Sequence, residues 1–160
     1  MRRILALLAL CAGVTVLGGC APSNPTYAEV RAETDELLQQ VADLIPEPKE
    51  VVRTEGIEPY GCDDNLDFGK GEGKFYTGQL AVYVKQSFDV YFFIDQFPAA
   101  LGEGWHAKNL GVPVNFAQIY LVRDSPTMSL TVRELTIDGR KAVDLLAISR
   151  CGTLPESPAP

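Results

Sequence analysis

The sequence predicts an α+β domain in which an antiparallel sheet of about five to six strands carries two helices packed on one face. Three features lead there. A capped amphipathic segment begins near Thr26, an aromatic-rich segment of helical spacing occupies mid-chain, and strand-like segments fill residues 105–150. The length of 160 residues suits a single domain, since domains commonly run about 100–200 residues.

Thr26 followed three residues later by Glu29 is a capping-box signature, and Pro25 in front of it discourages a backward extension. A helix is expected over residues 27–45. Tyr27, Val30, Leu37, Leu38, Val41, Leu44 and Ile45 share one face, interrupted by Thr34, while Glu29, Glu33, Glu36 and Asp43 mark the other. That acidic stripe reads as a solvated face rather than a site for a basic partner. Pro46 and Pro48 end the helix. Residues 49–54 form a short strand candidate, and residues 56–73, rich in Gly, Pro, Asp and Asn and containing Cys62, read as a long ordered loop.

Residues 74–85 alternate well, with Tyr76, Leu80, Val82 and Val84 on one face, as a core strand requires. Over residues 88–101 the helical spacing of Val90, Phe93, Ile94, Phe97 and Leu101 competes with the strand propensity of Val-Tyr-Phe-Phe-Ile. Ser87 and Asp89 suit a helix start, and Pro98 shortens or kinks its second half, so a helix is expected. Beyond Gly102 and Gly104 come strand segments at 105–110, 115–123, 128–135 and 141–150. Asp138-Gly139 between two of them is a type I′ hairpin signal. The proline-rich residues 155–160 predict a disordered tail.

The N-terminus carries an address. Arg2 and Arg3 precede an apolar stretch over residues 4–17 and then Gly18-Gly19, the layout of a secretory signal peptide. The sixteen apolar and small residues at 4–19 fall short of the roughly 20 that span a bilayer as a helix. Leu17-Gly18-Gly19-Cys20 resembles a bacterial lipobox, which implies that Cys20 becomes the new N-terminus and carries a lipid anchor on the extracytoplasmic face of the cell membrane. Two acyl chains are enough for stable anchoring. The expected organisation is a signal peptide at 1–19, lipidated Cys20 and a short tether at 20–25, one α+β domain at 26–153 and a tail at 154–160. Residues 21–25 reach no further than about 18 Å, so the domain rides close to the lipid.

Removal of Cys11 with the signal peptide and lipidation of Cys20 leave Cys62 and Cys151 in an oxidising compartment. They have one intramolecular pairing, and a disulfide is expected. A two-cysteine metal site would want further Cys or His nearby, and His106 is the only histidine. The lipobox, the early helix ending in Pro, Cys62 after the first strand, Gly104-Trp105 after the second helix and Cys151 ending the last strand together resemble small actinobacterial cell-envelope lipoproteins, including LppA-like ones. The resemblance implies an envelope lipoprotein and supplies no catalytic residue.

The residues narrow the chemistry further. Fourteen Lys and Arg against 21 Asp and Glu give −7, and loss of Arg2 and Arg3 leaves 12 against 21, a balance of −9. Nucleic-acid binding, which relies on clustered cations, is disfavoured. Asp63, Asn65 and Asp67 start like an EF-hand loop, but Phe68 stands where Gly is needed and Lys74 where the bidentate Glu belongs. An irregular calcium site from Asp63, Asp67 and Glu72 is the weaker alternative to a solvated acidic loop, and no metal or other cofactor is expected. His106 is read as a surface or edge residue, with no nucleophile elbow to serve. Gly69 to Gly73 lack the spacing of a phosphate-cradling loop.

The ring-bearing residues Tyr83, Phe88, Tyr91, Phe92, Phe93, Phe97 and Trp105 cluster in the chain, and core packing accounts for most of them. Tyr91 and Phe92 fall off the core-facing stripe, and with Trp105 they are the candidates for an apolar-ligand groove. The expected function is a non-catalytic interaction or structural role of a membrane-anchored lipoprotein that contacts other envelope proteins. The alternative is a binding module or carrier for a small apolar ligand or lipid. A cavity of about 300 Å³ or more with apolar walls favours the second, and a packed interior with surface grooves alone favours the first.

Overall fold

The computed structural model describes residues 24–54, 59–62 and 73–154. The expected signal peptide, Cys20, the acidic segment with Asp63, Asp67 and Glu72, and the expected tail at 155–160 lie outside the described residues.

Helix α1 (Tyr27–Leu44) starts where the capping box places it. The Glu29 N–H donates to the Thr26 hydroxyl at 3.2 Å, and the Thr26 N–H donates to the Glu29 carboxylate at 2.7 Å. This satisfies two of the amides that a helix start leaves without partners. Thr34, the interruption in the apolar stripe, is buried and donates to the Val30 carbonyl at 2.7 Å. The far end has no basic residue in its last turn, and Lys49 supplies one from beyond it. Its ammonium donates to the carbonyls of Ala42 at 2.9 Å and Ile45 at 2.7 Å, where the helix dipole favours a cation.

The strands are β1 (Glu50–Arg53), β2 (Tyr60–Gly61), β3 (Gly73–Tyr83), β4 (Trp105–Ala107), β5 (Gln118–Asp124), β6 (Thr127–Ile137) and β7 (Arg140–Thr153). They form one antiparallel seven-stranded sheet in the order β1-β3-β7-β6-β5-β4, with β2 beside β3 as well. The sheet exceeds the expected five to six strands through β2, a two-residue pairing of Tyr60 with Phe75 and Gly61 with Lys74. The segment expected as a strand at 105–110 pairs only at Trp105, His106 and Ala107. The next begins at Gln118 rather than 115, while β6 and β7 extend past their expected ends. Asp138 and Gly139 join β6 to β7 with φ of 50° and 76°, the positive values a type I′ turn requires.

Between β3 and β4 the second helical segment splits into helix α2 (Val90–Gln96) and a 3₁₀ turn at Phe97–Ala100. Pro98 has no N–H to continue the α-helical ladder, which is why one expected helix over 88–101 becomes two pieces.

Both helices cover the same sheet face. Leu80, Val82, Leu121, Leu130, Val132, Val143, Leu145 and Ala147 point toward them and join Leu38, Val41, Val90, Phe93 and Phe97 in one core. The register explains the common face, since Leu80 pairs with Leu145 and Val132 pairs with Leu145 in turn. On the opposite face Asp144 is only 2% exposed, yet both its oxygens are engaged. Gln79 donates to one at 2.7 Å and Arg133 to the other at 2.8 Å, so the buried charge is paired.

A register shift interrupts the β3–β7 ladder between Phe75 and Thr77. The Tyr76 N–H it frees donates to the Ser149 hydroxyl at 2.8 Å, so no buried amide is orphaned there. Just beyond, Cys62 and Cys151 form the expected disulfide, with Cα atoms 5.8 Å apart and a separation of 89 positions in sequence. Gly73 lies so close that a Cβ there would overlap the Cys151 sulfur.

Gly152 lies directly against the start of α1. A Cβ at that position would lie 2.8 Å from the Tyr27 Cα and 2.9 Å from the Thr26 carbonyl oxygen, atoms of backbone that cannot turn aside. Gly152→Ala should therefore destabilise the domain by about 1–3 kcal/mol, the usual cost of overpacking, as measured by urea unfolding. The disulfide closes a long loop, and its replacement in a Cys62→Ser/Cys151→Ser variant should cost about 2–5 kcal/mol. Peptide mapping of the unreduced protein should recover one cross-linked pair.

Candidate functional site

The Thr26 end of α1 bridges to Thr153 at the end of β7, and the Thr153 N–H donates to the Pro25 carbonyl at 2.8 Å. Both ends of the described domain meet here. Eighteen helical residues then carry the chain about 27 Å away before Leu44 is reached. The far end is built by the last turn of α1, the segment Ile45 to Lys49, the end of β3 and the start of α2.

These elements enclose an open-sided groove of about 460 Å³. Leu44, Pro46 and Pro48 form one wall, Val84 the floor, and Phe88, Phe92 and Phe93 the other wall. Each wall has a local cause. Pro46 and Pro48 cannot extend α1, so the chain turns back toward the sheet. Across from them, the Phe92 N–H donates to the Asp89 carboxylate at 3.0 Å, capping α2 and fixing which of its sides faces the groove. The Phe93 ring stacks on Phe97 at 5.1 Å between centroids and meets Phe88 at 5.8 Å, so this wall is backed by the core.

Phe92 is 66% exposed and Leu44 40%, an apolar wall open to water. Groups of this kind favour an apolar occupant, because covering them removes apolar surface from water at about 25 cal/mol per Å². The polar members of the lining are Glu47, Lys85, Ser87, Asp89 and Gln96.

The candidate aromatic residues are not brought together in this groove. Phe92 lines it. Tyr91, one residue earlier, is 61% exposed and absent from its walls. Trp105 lies on β4, where the Arg123 guanidinium sits over its ring at 5.1 Å, and it borders a separate hollow beside Glu33 and Glu36. His106 is exposed on the same short strand. In the sequence, Leu44, Pro46, Pro48 and Val84 signal only a helix, its stop and a core strand. Their convergence needs the return of the chain after α1, which no local pattern encodes.

A polar seam joins α1 to β1 and β3. Asp35 accepts from Arg53 at 2.6 Å and from the Tyr76 hydroxyl at 2.8 Å, and the Arg31 guanidinium lies over the Tyr76 ring at 5.6 Å. Nearby, Arg150 grips Glu33 in a forked pair at 2.5 and 3.2 Å. Part of the acidic stripe of α1 is thus an attachment to the sheet rather than a solvated face. Burial pushes the Tyr76 phenol above the ordinary tyrosine range and its bond to Asp35 adds to this, against the opposing pull of Arg53 and Arg31. Among the described residues no cluster of three or more metal-ligating side chains occurs.

A raised phenol contributes stability that is complete below its unfolded pKa of about 10 and is lost as pH rises through the folded value. Urea unfolding on either side of pH about 10 should show a decline that the Tyr76→Phe variant lacks. Compared with known proteins, the chain matches no family model, no curated protein and no solved structure.

Proposed function

We propose that this chain is a lipid-anchored, extracytoplasmic binding domain of the cell envelope that performs no chemistry of its own and holds a small apolar group in the groove at its far end. The observation that carries the reading is the groove itself. Its volume of about 460 Å³ falls in the range of roughly 300–1,000 Å³ common for small-ligand sites, and its walls are apolar. Its position supports the reading. In this reading the tether, at most about 18 Å long, holds one end of the domain near the membrane, and the groove lies at the opposite end, the Leu44 end of α1. There it meets material arriving from outside the bilayer. No helix among the described residues is long and apolar enough to cross a membrane, and the lipobox at Cys20 supplies the anchor in this proposal.

Two measurements test the two halves. Cys20→Ser should move the protein from the membrane fraction to the soluble extracytoplasmic fraction. Retention in the membrane with the signal peptide removed would overturn the anchor. For the groove, the uncharged dye Nile red should bind saturably, and Phe92→Asp should weaken binding about tenfold or more, equivalent to about 1.4 kcal/mol. Because Phe92 is largely exposed, that variant should have a stability within about 0.5 kcal/mol of the parent. Equal dye binding by the parent and the variant would assign the dye to another surface.

A further inference from the structure

Beside the apolar groove lies a second hollow of about 310 Å³, and the two share Pro48, Val84 and Lys85. Its character is different. Lys49, Lys85 and Arg140 line it against a single acid, Glu50, in a protein whose net charge is −7. Lys49 is committed to the carbonyls at the end of α1, and Arg140 lies over the Tyr83 ring at 3.9 Å while pairing with Glu50 at 2.6 Å. Lys85 is exposed and makes no ion pair among the described residues, although it stands on the boundary between the two hollows.

The acids on the groove side are held by the backbone. Glu47 accepts the Lys49 N–H at 2.9 Å, and Asp89 accepts the Phe92 N–H at 3.0 Å. Their charges are therefore directed at fixed donors, whereas Lys85 and the outer side of Arg140 are open to an incoming anion.

We propose that the occupant of the far end is a single-chain anionic amphiphile of the fatty-carboxylate type, its apolar chain along Phe92 and Leu44 and its carboxylate at Lys85 and Arg140. The inference rests on the groove reading above and adds the charged head to it. An apolar chain alone uses only the first hollow, and a free small anion only the second. Their shared wall is what selects a molecule with both parts. Arg140 can present its guanidinium fork to the carboxylate, and Lys85 adds a mobile ammonium within the same opening.

The test compares three probes of one chain length by titration calorimetry with the full soluble domain: decanoate, decanol and decylammonium. Decanoate should bind about tenfold more tightly than decanol, and decylammonium more weakly than either, with the decanoate advantage shrinking as salt is raised. Lys85→Gln and Arg140→Gln should each lower decanoate affinity while leaving decanol affinity unchanged, and Arg140→Lys, which keeps the charge but loses the fork, should fall between Arg140→Gln and the parent. If Arg140→Gln perturbs folding through Tyr83 and Glu50, Lys85→Gln carries the test by itself, because that side chain is exposed and outside every ion pair among the described residues. Equal affinity for decanoate and decanol, or a preference for decylammonium, overturns the anionic head and leaves the apolar groove standing. Binding of none of the three overturns both.

Discussion

The contact on which the rest of the molecule depends is the close seating of α1 on β3 and β7. At Gly78 and Gly152 the sheet presents no side chain, and Leu38 and Val30 occupy the space that a Cβ would need, at 2.7 Å in each case. A helix usually packs on a sheet with a full layer of side chains between, so two glycines at the crossing let its backbone sink further in. That seating sets the line of α1, and the line of α1 sets everything at its two ends. One end meets Gly152 and Thr153, and the other delivers Leu44 and Pro46 to the groove. The Glu33–Arg150 pair and the Asp35–Tyr76–Arg53 cluster hold the same helix laterally.

The two sheet faces are stabilised differently. Under the helices the face is filled by branched aliphatic side chains in one cluster, an arrangement that tolerates substitution if volume is kept. The other face has a buried polar pairing, Gln79 and Arg133 on Asp144, between strands β3, β7 and β6. Loss of one partner there leaves an acceptor without compensation, which costs more than the net gain of making the bond. The pairing therefore specifies register: a slip of one residue in β7 would turn Asp144, and one in β6 would turn Arg133, into the aliphatic core.

Much of the fold was legible because its signals are local. The capping box at Thr26 and Glu29, the prolines after Ile45, the alternation of Leu80 and Val82, and Asp138-Gly139 each act over a few residues and each appears where expected, while Val84 lies just past the end of β3. The disulfide, expected from counting the thiols left after the expected processing, is present. β2 was not legible, because a two-residue strand has no periodicity and exists only through the backbone of β3. The split at Pro98 was half legible: proline announces an interruption, but whether the chain resumes as a 3₁₀ turn depends on Phe97 packing beneath it. The groove gave a single sequence signal, Phe92 off the core stripe. Its other walls lie far apart along the chain, and its basic neighbour was hidden by the acidic total. Arg123 over Trp105 follows from the β4–β5 register, which the sequence left open.

The bonding of Thr153 to Pro25 brings the two ends of the folded domain side by side. The chain therefore enters and leaves on one pole. The opposite pole, among the described residues, is bounded by a helix end, a pair of prolines and a sheet edge. A molecule approaching that pole meets a surface whose shape is set by folded backbone, with Pro25 and Thr153 at the other end of the domain.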